Sequence, residues 1–187
     1  MPATTSPFSD SPQPFAATSD SSASPHRTRS YRLARVGVLT NRQWAEDVAD
    51  RLAADYGDHV RDALAAWRQD RGEADPDMLR LLPLIREQFP VGVLSNSTDA
   101  LHADLAHHGI TFDHVMPSAD LGVDKPSPHA YRLAAERMAT APGDLLYFDD
   151  EPTFVRSAAA AGLQAHLFMS ATDVQQHLGR CCVKVRT

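Results

Sequence analysis

The sequence predicts an α/β fold: a Rossmann-like parallel sheet with crossover helices, preceded by a small helical segment. Three observations predict it. Short apolar runs, VGVL (91–94), DLLYF (144–148) and QAHLF (164–168), alternate with longer stretches of helical periodicity, and strands joined through helices pair in parallel. Each of the first two runs stops in a polar cluster, Ser95-Asn96-Ser97-Thr98 and Asp149-Asp150-Glu151, at the strand ends where open parallel sheets bind ligands. The length of 187 residues, with 43% apolar and 22% charged side chains, suits one globular domain with a small satellite.

Composition excludes several function classes. The net charge of -6 and pI of about 5.8 give no basic excess for a nucleic-acid surface. Mean hydropathy is -0.33 and no apolar run approaches the roughly 18 residues of a membrane span, so no membrane partner is expected. The N-terminus lacks the charged-then-apolar start of a secretory signal. Cys181 and Cys182 are adjacent and form neither a metal-ligand spacing nor a disulfide framework. A reducing cytoplasm is the expected location. Among 18 basic residues only Lys125 and Lys184 are lysines, so a lysine at a motif position stands out.

Residues 1–30, with 8 Ser, 4 Thr and 5 Pro, bury too little to offset the ordering entropy and read as a disordered tail. Residues 31–74 read as a helical segment. Trp44, Val48 and Leu52 make one stripe of a helix over 42–55, capped by Thr40 or Asn41. Val60, Leu64 and Trp67 mark a second helix over 58–70, with Gly72 as its stop. Residues 75–180 read as the α/β core. Asp75-Pro76 starts a helix to Gln88 that contains Pro83. Strand 91–94, helix 98–108, strand 112–116, helix 128–139, strand 144–148, helix 152–161, strand 164–168 and helix 171–178 follow, with a tail at 181–187.

Each strand end has a plain structural reading and a chemical one. Ser95 and the next N–H groups make an anion site, or simply cap a helix. Lys125, between Asp124 and Pro126, reaches the mouth of the sheet to meet a phosphate or carboxylate, or is a solvated lysine. Asp149, Asp150 and Glu151 repel one another unless a cation or lysine neutralises them, and hard oxygens beside a phosphate suit Mg²⁺. Capping of the next helix by Asp150 explains only one of the two aspartates.

A Ser/Thr after one strand, a Lys-Pro some thirty residues on and an Asp-Asp after the next strand resemble the haloacid dehalogenase-like hydrolase superfamily. The segments that carry the resemblance are VGVLSNST, LGVDKPSPHAY and LLYFDDEPTFVRSAAAAGLQAHLF, within residues 31–178. The resemblance implies substrate binding by Ser95, Asn96 and Lys125, catalytic stabilisation of a phosphoaspartate by Lys125, and Mg²⁺ on Asp149 and Asp150. It makes the ligand a small phosphorylated molecule and the helices at 42–70 a small cap. RLARVGVL (32–39) is favoured as the lead-in to that cap over a surrogate first strand.

Two departures from the pattern stand out. The family's first motif, D-x-D at the end of a strand, is not found: Asp10 and Asp20 lie in the tail, with no apolar strand before either. Where the family's D-D motif commonly carries Asn four residues on, this chain has Phe154. The first-motif strand belongs between the strands at 91–94 and 144–148, so its loss exposes two unpaired edges, which would favour a homodimer. The sequence therefore predicts a phosphatase-type member that keeps its phosphate and Mg²⁺ ligands but lacks the nucleophile, inactive as written or N-terminally truncated. The alternative is a non-catalytic interaction or regulatory domain.

Overall fold

A computed structural model describes residues 29–180; the tail at 181–187 and all but the last two residues of the tail at 1–30 lie outside the described residues. Arg29 and Ser30 belong to the first helix, α1 (Arg29–Arg35). The stretch 32–39 is thus helix and turn, with no strand. Thr40 then caps α2 (Asn41–Tyr56) through a complete capping box with Gln43, which satisfies two otherwise orphaned N–H groups. The third helix is α3 (Val60–Gln69). It stops at Asp70, before the predicted Gly72. Ala34, Trp44 and Val48 are the buried centre of this three-helix unit, with Tyr31, Leu39, Leu52, Leu64 and Trp67 packed around them. Trp44 meets Tyr31 at a tilt, centroids 4.9 Å apart, and Trp67 edge-on at 6.3 Å.

The unit is fastened to the rest of the chain at its turn. Gly37 has φ +74° and approaches so closely that an added Cβ would lie 2.2 Å from the carbonyl oxygen of Ala119. Only a residue without a side chain fits both the left-handed backbone and that contact. Arg35 pairs with Asp124, and the Asn41 N–H donates to Asp99 Oδ1 at 2.6 Å.

The core begins with α4 (Pro76–Arg86), whose N-cap Asp75 accepts from the N–H groups of Asp77 and Met78. It continues through β1 (Gly92–Ser95), α5 (Leu101–His107), β2 (His114–Pro117), α6 (Ser118–Leu121) and α7 (Pro128–Arg137). After a 3-10 turn come β3 (Leu146–Asp149), α8 (Pro152–Ala160), β4 (Gln164–Leu167) and α9 (Ala171–Arg180). The strands are parallel, as expected, but they form two sheets rather than one. β1 pairs with β2 from Gly92↔His114 to Ser95↔Pro117, and β3 with β4 from Leu146↔Gln164 to Asp149↔Leu167. Each of β1 and β3 therefore has one partner and one open edge among the described residues.

Strand alternation sorts the core into two faces. On one, Tyr131 of α7, Ala158 of α8 and Leu163, just before β4, are buried against Leu94 of β1, Tyr147 of β3 and Ala165 of β4. Both sheets thus share one apolar cluster. On the other, Leu81 of α4 and Ala171 and Val174 of α9 pack against Phe148, the neighbour of Tyr147. Tyr131 is fully buried, worth about 1.5–3 kcal/mol on the scale for a large apolar side chain, and joins the two sheets.

Candidate active site

Ser95 and Asp149 are the last residues of β1 and β3. Lys125, from the loop before α7, meets Asp149 with its side chain and Asn96, the residue after β1, with its backbone. The Asn96 side chain clasps the backbone of Lys125: its Oδ1 accepts the Lys125 N–H at 2.7 Å and its Nδ2 donates to the Lys125 carbonyl at 2.8 Å. Held in this way, the lysine is only 8% exposed. Its Nζ donates to Asp149 Oδ2 at 2.6 Å. The plain reading of a solvated lysine does not hold here.

Asp149 is held on both oxygens. Oδ2 also accepts from the Tyr147 hydroxyl, while Oδ1 accepts from the Glu151 N–H at 3.0 Å. Burial, followed by the charge of Asp149, pushes the Tyr147 phenol well above its ordinary range, so it remains a donor. Burial and the same charge push Tyr131 up as well. Its hydroxyl donates to the Phe154 carbonyl at 2.9 Å, and its ring meets Tyr147 edge-on at 5.6 Å. The Phe154 ring centroid lies 4.9 Å from Lys125 Nζ. Where the family pattern has an amide, this chain thus presents an aromatic face to the ammonium, a cation–π contact.

The helix after β3 is capped by Glu151, which accepts from the Thr153 N–H. Asp150, the cap expected in the plain reading of the sequence, is not spent on that task. Neither its carboxylate nor the Ser95 hydroxyl has a hydrogen-bond partner among the described residues. No group of three or more His, Cys, Asp or Glu side chains forms a closed metal cage among the described residues. Asp149 and Asp150 put two carboxylates at the end of β3, a donor set that fits Mg²⁺, which is commonly held by one or two carboxylates, waters and substrate phosphate.

Sequence reasoning missed two residues of this arrangement: Tyr147 and, as a partner of Lys125, Phe154. For Tyr147 the signal was present: residues two apart in a strand share a face, so a phenol at 147 must lie beside the carboxylate at 149.

The family described as haloacid dehalogenase-like hydrolase matches residues 28–162. Phosphatase MT3486 of Mycobacterium tuberculosis is 36% identical over 87 residues, 44% of this chain and 40% of that protein. Fructose-1-phosphate phosphatase YqaB of Escherichia coli is 33% identical over 99 residues, 48% of this chain and 52% of that protein. The matched segments thus span about half the length of these curated relatives. Among solved structures, a HAD family enzyme of Bacteroides thetaiotaomicron superposes with a TM-score of 0.64 at 19% identity, over 81% of this chain and 77% of that one. Its magnesium complex gives 0.64 at 18% identity, over 82% of this chain and 81% of that one. The family match over residues 28–162, most of the chain, assigns it to the haloacid dehalogenase-like hydrolases.

Proposed function

We propose that this chain binds a small phosphorylated molecule together with Mg²⁺ and does not hydrolyse it, as a non-catalytic member of its family. Ser95 and the N–H groups that follow β1 take the phosphoryl oxygens. Lys125 supplies fixed positive charge, aimed by the Asn96 clasp. Asp149 and Asp150 hold the cation, which when bound screens phosphoryl charge. The phosphatase names of the two relatives support phosphate esters as the ligand class.

The observation that carries the non-catalytic half is the split sheet. β1 and β3 flank the site but are joined neither to each other nor to a third strand among the described residues. Among the described residues no strand end other than that of β3 presents a carboxylate to Lys125, and Asp149 there is tied to Lys125, Tyr147 and the Glu151 N–H. A nucleophile needs a lone pair aimed at phosphorus within near-attack distance.

The test is p-nitrophenyl phosphate hydrolysis by the purified chain, with and without Mg²⁺, beside Lys125→Ala, together with calorimetric titration of inorganic phosphate. Phosphate binding that needs Mg²⁺ and Lys125, without turnover, is expected. Metal-dependent turnover lost in Lys125→Ala would overturn the non-catalytic reading. A second reading, an interaction domain, is favoured by the two open edges, which template strand addition. Light scattering that finds a dimer, combined with no phosphate binding, would select it.

A further inference from the structure

Most of the aromatic surface around the strand ends does ordinary core packing, but one hydroxyl does not. Tyr147 lies on β3 two residues before Asp149, and its ring packs in the cluster shared by both sheets. The hydroxyl turns away from that cluster and donates to Asp149 Oδ2, the oxygen that also receives Lys125 Nζ. Two donors on one carboxylate oxygen fix the plane of the group and engage that oxygen. Oδ1 has a single donor, the Glu151 N–H at 3.0 Å, and keeps a lone pair.

Resting on the metal–phosphate reading above, we propose that Tyr147 is a positioning residue for the cation site. By holding Oδ2 of Asp149 beside Lys125, it would leave Oδ1, with its remaining lone pair, as the oxygen able to ligate the cation. Groups that hydrogen-bond a ligating carboxylate set its orientation, and their loss typically costs about 10–100-fold in metal affinity. Phenylalanine at 147 keeps the ring and its packing but removes one of the two donors on Oδ2. Lys125 Nζ then remains on Oδ2 and the Glu151 N–H on Oδ1, and the flexible lysine stem lets Oδ2 shift where the rigid ring did not.

The experiment measures Mn²⁺ binding to the full chain by electron paramagnetic resonance, with inorganic phosphate present, for the wild type, Tyr147→Phe and Tyr131→Phe. Tyr131 provides the control: it sits in the same cluster, and its hydroxyl donates to the Phe154 carbonyl rather than to Asp149. Tyr147→Phe is expected to weaken Mn²⁺ about 10–100-fold with thermal unfolding close to wild type, and Tyr131→Phe to leave affinity unchanged. Equal affinity in Tyr147→Phe and wild type would overturn the positioning role and leave the metal reading standing. Equal losses in the two variants would assign the effect to packing and overturn it too. A wild type that binds no Mn²⁺ would overturn both the positioning role and the metal reading.

Discussion

Lys125 and Asp149 form a buried ion pair, 2.6 Å apart with side chains 9% and 6% exposed, at the point where two separate sheets meet. Removing one partner of such a pair leaves an uncompensated buried charge, a loss of about 3–5 kcal/mol. Lys125→Met should therefore lower stability by about 3–5 kcal/mol in urea unfolding. Lys125→Met combined with Asp149→Asn should recover part of it, because the amide can still accept from Tyr147. A Lys125→Met variant as stable as wild type would mean that water reaches the pair.

Gly37 should resist substitution. Its left-handed backbone alone adds about 1–2 kcal/mol to the cost of any L side chain, and the Cβ of alanine would meet the Ala119 carbonyl at 2.2 Å. Gly37→Ala should loosen the three-helix unit before the core unfolds. Faster proteolysis within residues 36–40, at nearly unchanged core hydrogen exchange, is the expected result. Equal protease resistance would show that the turn can shift without cost.

Acid stability should carry the signature of Asp113. The hydrogen bond from Arg86, and next that from the Val91 N–H, hold its carboxyl down at about 2, from an ordinary 3.8. The folded value lies below the unfolded one, so the contribution is complete above about pH 4 and fades as pH falls toward 2. Melting temperature between pH 5 and 2 should fall less steeply for Asp113→Asn than for wild type. Parallel curves would remove Asp113 from the acid limb.

His166 should titrate below the ordinary histidine range. Burial is the larger cause and His177 the smaller, the two rings lying 4.3 Å apart. In an NMR titration, His177→Gln should raise the His166 midpoint but leave it below 6.5, its ordinary value. A complete return would make the neighbouring charge, not burial, the main cause.

Much of this was legible in the sequence, and the exceptions have physical causes. Apolar runs located β1, β3 and β4, yet β1 and β3 start one or two residues later than predicted, because a parallel ladder is defined by its partner. Thus Gly92 opens β1 only where His114 stands opposite. Helix α6 (Ser118–Leu121) was missed because four residues carry no periodicity. α1 was missed because Ser30 and Ala34 become a buried face only once α2 is in place. At the site, the meeting of Lys125 with Asp149 was foreshadowed because parallel topology puts polar residues just beyond the strand ends. The Asn96 clasp was not, since an amide that binds a backbone 29 residues away leaves no mark in local pattern.

The divided sheet also sets the order in which the chain acquires its shape. Each ladder joins strands on either side of a single crossover, residues 92–95 with 114–117 and 146–149 with 164–167. Among the described residues no strand pairing reaches across the chain, so little loop-closure entropy is lost before pairing is rewarded. The ladders thus pair early, whereas the burial of Leu81 of α4 against Ala171 and Val174 of α9, which spans the whole core, and the Lys125–Asp149 pair close late.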